Sequence, residues 1–248
     1  MPEIRFQLNG QDVTADAAES LLDICKRLNI EVPHLCQHPD QRADGNCRAC
    51  VVEIEGERSL APSCRRTAQP GMVVNTDSQR ARRAQQGVLQ LLNQAVSTQR
   101  YRNDDELQEW SDKTGLPPVL QAEPVDERQD SSHPAIDFHA DACILCTRCV
   151  RACREVQHNN IIGLSGRGSE TRIVFDLDDA LGDSRCVGCG ECVQACPTGA
   201  LSNKGEVDLL TADRQVDSVR PYCGVGCLLR YYVKDNQIIK VEGRNGPA

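Results

Sequence analysis

The sequence predicts an α+β chain assembled from small metal-bearing modules along a helical connector, and three observations predict it. Fifteen cysteines in 248 residues fall into spaced sets rather than scattering. Aromatic residues make up only 3% of the chain, which excludes large aromatic cores and leaves small domains in need of another cross-link. No cysteine occurs between Cys64 and Cys143, so the sets belong to two separate modules. The charge balance of 28 Lys and Arg against 36 Asp and Glu, a net of −8, argues against a nucleic-acid partner, because neutralising phosphates takes a surplus of basic residues. No stretch approaches the roughly 18 apolar residues of a membrane span, and Met1-Pro2-Glu3 opens no secretory signal. The expected location is therefore cytoplasmic, where clustered cysteines hold metal more often than they pair as disulfides.

Ile4 to Leu8 alternates as a strand does, Asn9-Gly10 is a hairpin turn, and Val13 belongs to the returning strand. Ser20 caps a helix carrying Leu21, Leu22, Cys25 and Leu28 at helical spacing, which makes Cys25 a core residue. Val51 to Ile54 and Met72 to Val74 read as further strands, the first ended by a turn at Glu55-Gly56-Glu57. Strands around one helix, with cysteines on the loops, define a ferredoxin-like domain over residues 1–78. A helix follows over Gln79 to Val96 with Val88, Leu91, Leu92 and Ala95 as its apolar face. A second helix spans Leu107 to Lys113, stopped by Gly115 and Pro117-Pro118, and residues 116–136 read as an extended connector.

Cys143, Cys146, Cys149 and Cys153 have the spacing Cys-x2-Cys-x2-Cys-x3-Cys, and Cys186, Cys189, Cys192 and Cys196 repeat it, followed by Pro197. This is the run of two-cluster bacterial ferredoxins, in which the fourth cysteine of each run serves the other cluster. One 4Fe-4S cluster is thus expected on Cys143, Cys146, Cys149 and Cys196, and a second on Cys153, Cys186, Cys189 and Cys192, within residues 137–207. Zinc is the poorer reading, since two Cys-x2-Cys hooks complete its tetrahedron and a third cysteine on each would be surplus. Disulfides within such short spacings would be strained. The glycines Gly163, Gly166 and Gly168 between the runs lack the Lys-Ser/Thr of a phosphate loop. Backbone amides at Gly188 and Gly190 are candidates for tuning the cluster potential.

Cys36, Cys47, Cys50 and Cys64 form a different set, Cys-x10-Cys-x2-Cys-x13-Cys, on loops of the first domain, where Gly45 lets the backbone fold closely around sulfur. Four loop cysteines suit a 2Fe-2S cluster, although the plant-type ferredoxin spacing differs. His34 and His38 flank Cys36 but are read as solvated loop residues, because four thiols already complete the set. His133, His139 and His158 are isolated in sequence and read as solvated or satisfied. Cys223 and Cys227 remain, two thiols that cannot complete a cubane alone.

The order of these motifs resembles the amino-terminal part of the alpha subunit of NAD-linked molybdenum- or tungsten-dependent formate dehydrogenases. It also resembles the related large iron–sulfur subunit of complex I and the small iron–sulfur subunit of NAD-reducing hydrogenases. The resemblance rests on the three cysteine sets and on Arg220-Pro221-Tyr222-Cys223-Gly224-Val225-Gly226-Cys227, which is similar to the opening of a molybdopterin oxidoreductase domain. Val233 to Gly243 is similar to that domain's first strand pair. The resemblance implies a β-grasp fold for residues 1–78, and for residues 79–136 a helical connector lacking the histidine-plus-three-cysteine cluster of many relatives. It implies a two-cluster ferredoxin domain over residues 137–207 and a truncated molybdopterin-domain start over residues 216–248. Arg220 stands where the family has its first cysteine, and the fourth ligand would lie beyond Ala248, so the Cys223 and Cys227 site is expected to be incomplete, with no complete molybdopterin site and no catalytic residue. The expected function is electron relay between a molybdopterin formate site and a flavin/NAD-binding diaphorase subunit, in a shortened form or fragment of a formate dehydrogenase alpha subunit. Two alternatives are a separate hydrogenase-type electron-transfer subunit, partnered by a catalytic molybdopterin or hydrogenase subunit, and a non-functional scaffold.

Overall fold

The computed structural model describes residues 3–102, 104–118, 126–204, 212–222 and 224–243. The first module is built on a five-stranded sheet of β1 (Glu3–Leu8), β2 (Gln11–Asp16), β3 (Val51–Ile54), β4 (Ala61–Pro62) and β5 (Val73–Asn75), in the order β2-β1-β5-β3-β4. β1 and β2 pair antiparallel around Asn9 and Gly10, both with positive φ, as a tight hairpin requires. β1 pairs parallel with β5, and the two-residue strand β4 is an addition that no alternating pattern announces. In β1, Ile4, Phe6 and Leu8 are buried while their neighbours are exposed, the period of two expected of a half-buried strand. Helix α1 (Leu21–Arg27) begins at Ser20, whose hydroxyl accepts the Asp23 N–H. It buries Leu21, Leu22, Ile24 and Cys25 against the sheet. Leu28 is not core: it closes the helix at 38% exposure.

Helix α2 (Gln79–Gln94) is capped by Ser78, and its inward face matches the expected one in part: Val88 and Leu92 pack half-buried against the core, but they lie at its edge. Ala81, Gln85 and Leu89 are buried and Leu91 is 67% exposed. The phase is set by Gln85, whose amide donates to the carbonyls of Val51 and Thr76. A polar side chain that satisfies two buried carbonyls belongs inside, and a count of apolar residues passes over it. Helix α3 (Glu106–Lys113), capped by Asp105, packs on α2 through Leu107, Leu89 and Trp110.

Of the connector after α3, residues 119–125 lie outside the described residues. Its described end carries strand β6 (Gln129–Asp130), which joins β7 (Ile136–His139) and β10 (Leu201–Asn203) in a sheet ordered β10-β7-β6. Between β7 and β10 lie helix α4 (Arg148–Arg151), the hairpin β8 (Ile162–Ser165) and β9 (Arg172–Phe175), and helix α5 (Glu191–Ala195). The glycine-bearing stretch is thus the tip of a hairpin. Gly166, at φ +76, has no room for a side chain, since a Cβ would fall 2.2 Å from the Glu170 carbonyl oxygen. A third sheet, β11 (Arg214–Val219), β12 (Leu228–Lys234) and β13 (Gln237–Gly243), is antiparallel throughout, one strand more than the expected pair. Among the described residues, no helix is long and apolar enough to cross a membrane.

Candidate iron–sulfur sites

The two ferredoxin-type runs fold as repeats. Leu145 and Thr147 have φ of +53° and +63°, and the equivalent positions of the second run, Gly188 and Gly190, have +65° and +79°. Each run therefore turns twice through the left-handed region before entering a short helix, α4 after Thr147 and α5 after Gly190. The second run meets this demand with glycines, whereas the first pays strain on a leucine and a β-branched threonine. Beyond α4 the chain continues as a single π-turn, Ala152–Val156, which carries Cys153.

Cys143, Cys146, Cys149 and Cys196 line one cavity together with Phe138, Ile173, Pro197 and Leu201. Burial in these apolar surroundings raises the thiols of Cys143, Cys146 and Cys149, pushing that of Cys146 up to about 12. Cys146 and Cys196 act on the Cys143 thiol by charge. The Cys192 thiol, also pushed up to about 12 by burial, feels Cys186, Cys189, Cys196 and Cys153. Cys153, Cys192 and Cys196 are buried, Cys186 is half-buried and Cys189 is exposed. Main-chain N–H groups donate to three of the sulfurs, Ile161 to Cys153 at 3.3 Å, Gly188 to Cys186 and Leu201 to Cys196 at 3.4 Å each. Gly190 instead precedes α5 as its left-handed N-cap.

Buried thiols around an apolar hollow, with amides already directed at sulfur, fit an iron–sulfur cluster. Such a group needs thiolates, and coordination supplies the charge that burial otherwise forbids.

Cys36, Cys47, Cys50 and Cys64 also meet. Cys36 lies close enough to Cys47 and Cys64, and Cys50 to Cys64, for the thiols to act on one another. The Cys36 thiol is drawn far down by its neighbours Cys47 and Cys64, whose own thiols are pushed up. Gly45, at φ +71, lies on the loop between the first two ligands, and a Cβ there would stand 2.9 Å from Arg65 Cγ. These four neighbouring thiols, drawn from the loops around β3 and β4, fit a 2Fe-2S cluster. The flanking histidines are not loop-solvated as expected. His34 Nδ1 is 2.8 Å from the Val32 carbonyl and its ring lies 5.4 Å from Trp110, while His38 Nδ1 accepts the Asp40 N–H. His139 is buried, stacked on Tyr101 and bonded to Gln129.

Buried arginines form a set that the cysteine spacing gives no hint of. Arg148 makes a two-pronged ion pair with Glu106 of α3. Arg102 donates to the carbonyls of Val193 and Cys196. Arg151, 2% exposed, donates to the carbonyls of Cys36 and Arg42. The only local hint is the arginine density of Arg148-Cys149-Val150-Arg151, because their partners lie tens to more than a hundred residues away.

Cys223 lies outside the described residues, and Cys227 is exposed. The Arg220 N–H donates to the Cys227 carbonyl at 2.8 Å, so position 220 stands beside Cys227 with a guanidinium side chain where the resemblance implies a thiol.

Residues 1–79 match the 2Fe-2S iron-sulfur cluster binding domain, residues 142–200 the 4Fe-4S dicluster domain and residues 213–247 the molybdopterin oxidoreductase Fe4S4 domain. A protein of Staphylococcus haemolyticus, provisionally named a formate dehydrogenase, is 25% identical over 97% of this chain and 29% of its own length. The mitochondrial NADH-ubiquinone oxidoreductase 78 kDa subunit of Candida albicans is 30% identical over 82% of this chain and 29% of its own. The chain thus spans under a third of these relatives. A chain in the crystal structure of an NAD+-reducing [NiFe]-hydrogenase in the H2-reduced state superposes with a TM-score of 0.74 at 28% identity, over 82% of this chain and 88% of that one. The chain therefore joins a 2Fe-2S domain, a 4Fe-4S dicluster domain and a molybdopterin oxidoreductase Fe4S4 domain, in that order, and its homologues include formate dehydrogenase-type, complex I 78 kDa and NAD+-reducing hydrogenase chains.

Proposed function

We propose that this chain is the electron-relay portion of an NAD-linked oxidoreductase of the formate dehydrogenase kind, working with a flavin/NAD-binding subunit. In this reading Cys36, Cys47, Cys50 and Cys64 hold a 2Fe-2S cluster on a β-grasp domain. Cys143, Cys146, Cys149 and Cys196 hold one 4Fe-4S cluster, and Cys153, Cys186, Cys189 and Cys192 the other. Each cluster, when bound, takes up and returns one electron at a time. The protein's own part is to keep water from the thiolates, to aim amides at sulfur and to hold the ligand loops in fixed relation. Phe138, Ile173 and Leu201 wall the first four-thiol cavity, and the N–H groups of Ile161, Gly188 and Leu201 offset sulfur charge. The observation that carries the reading is the convergence of Cys196 on the thiols of the first run, from a point 47 residues beyond Cys149.

Iron and acid-labile sulfide per chain, measured after anaerobic reconstitution together with the EPR spectrum of the reduced protein, test it. About ten irons, with signals of one 2Fe-2S and two 4Fe-4S centres, are expected. Fewer than about four irons, or zinc in their place, would leave only the scaffold reading. A second reading, a hydrogenase-type relay subunit, is favoured by the 88% coverage of the hydrogenase chain. Purifying the chain with its native partners and assaying NAD reduction with formate and with hydrogen separates the two.

A further inference from the structure

The first and second cysteine-bearing modules meet at a polar seam. Gln41 Nε2 donates to the Arg148 carbonyl at 3.2 Å, and Arg42 pairs with Glu155 at 2.9 Å. Asn46 Nδ2 donates to the Cys146 carbonyl at 3.3 Å and to Thr147 Oγ1 at 3.2 Å. Thr147 Oγ1 in turn donates to Asp44 Oδ2 at 2.9 Å. Residues 41–46 come from the loop that carries Cys36 and Cys47, and residues 146–155 from the run that carries Cys146, Cys149 and Cys153. The seam therefore lies between two ligand loops rather than between two outer surfaces.

At its centre is Arg151. Its Nη2 donates to the carbonyl of Cys36 at 2.5 Å and reaches the carbonyl of Cys146 at 3.4 Å. Its Nη1 donates to the Arg42 carbonyl at 2.5 Å, and Nε lies 3.3 Å from Asp44 Oδ2. One nitrogen thus touches a ligand residue of each set, and the side chain is 2% exposed. A module interface could be held by rim contacts alone. Burying a guanidinium costs several kcal/mol unless it is paired and fully bonded, and its one described carboxylate partner, Asp44, is itself shared with Arg42. A positive charge held this way in low dielectric acts on both thiolate sets at short range.

We propose that Arg151 is the positioning residue that couples the Cys36–Cys64 site to the Cys143–Cys149 and Cys196 site, setting their spacing and raising the reduction potential of both, with Asp44 as its counterweight. The proposal rests on the reading that both sets hold clusters. A buried positive charge favours the reduced, more negative form of each cluster. Removing it shifts both potentials down together, and removing the opposing carboxylate shifts both up.

The test is a potentiometric EPR titration of the reconstituted full chain and of Arg151→Met, Arg151→Lys and Asp44→Asn, with iron counted in each. Wild type with about ten irons secures the underlying reading, and wild type without clusters defeats that reading rather than this one. With clusters retained, Arg151→Met is expected to lower both potentials, Arg151→Lys to leave both near wild type, and Asp44→Asn to raise both. A merely structural arginine would loosen the seam without opposite shifts in the two neutralising variants. Either site unshifted in Arg151→Met overturns the proposal. If Arg151→Met loses its clusters, unchanged potentials in Asp44→Asn overturn it instead.

Discussion

Thr147 has a φ of +63°, a conformation that a β-branched residue adopts at a cost of about 1–2 kcal/mol. Its hydroxyl bonds to Asp44 and Asn46 explain why it is not glycine, as Gly190 is in the second run. Gly45 shows the opposite case. Gly45→Ala meets both a left-handed backbone and Arg65 Cγ at 2.9 Å, and is expected to cost about 1–3 kcal/mol. Thermal denaturation and the rate of loss of 2Fe-2S absorption would read that cost. Cys25, fully buried, has its thiol pushed up to about 11 from 9.0 by burial. Its folded form holds the proton more tightly than its unfolded form, so this contribution to stability is complete below about pH 9 and is lost as pH rises towards 11. Cys25→Ala is expected to flatten that stretch of a stability–pH profile. In the native chain an alkylating agent at neutral pH should label exposed Cys227 and spare Cys25, as peptide mapping would show.

At the scale of elements, the sequence revealed more of the strands than of the helix faces. β1, β2, β3 and α1 declare themselves through alternation, Asn9-Gly10 and the Ser20 cap, because those signals are local and each has one dominant physical cause. The inward face of α2 did so only in part: Val88 and Leu92 do pack on the core, but its centre is Gln85, held by carbonyls of Val51 and Thr76 that only tertiary structure brings near. The difference is measurable. Leu89→Ala should cost about 2–5 kcal/mol, and Leu91→Ala, at a position 67% exposed, should stay within about 0.5 kcal/mol of wild type in chemical denaturation. The cysteine runs were visible for the same reason as the strands, as each is a local spacing rule, whereas the approach of Cys196 to Cys143, Cys146 and Cys149 is a matter of tertiary structure. The arginines that brace them were not, because Arg102, Arg148 and Arg151 act on partners remote in sequence.

For the whole molecule, stability is unevenly distributed. The first and second modules each carry a buried cluster of side chains, whereas Val233 is the one buried hydrophobic side chain among the described residues of β11, β12 and β13. Amide hydrogens of residues 214–243 should therefore exchange well before those of β1, β7 and β10, as hydrogen-exchange mass spectrometry would show. The seam around Arg151 has a further consequence, in time rather than in space. Its hydrogen bonds between the modules join residues 100 to 115 positions apart. During synthesis Cys36, Cys47, Cys50 and Cys64 all leave the ribosome before Cys143 has been made, and domains fold in that order. The guanidinium that links the amino-terminal site to the next is therefore made only after all four of that site's cysteines, so docking of the two modules follows the synthesis of the first.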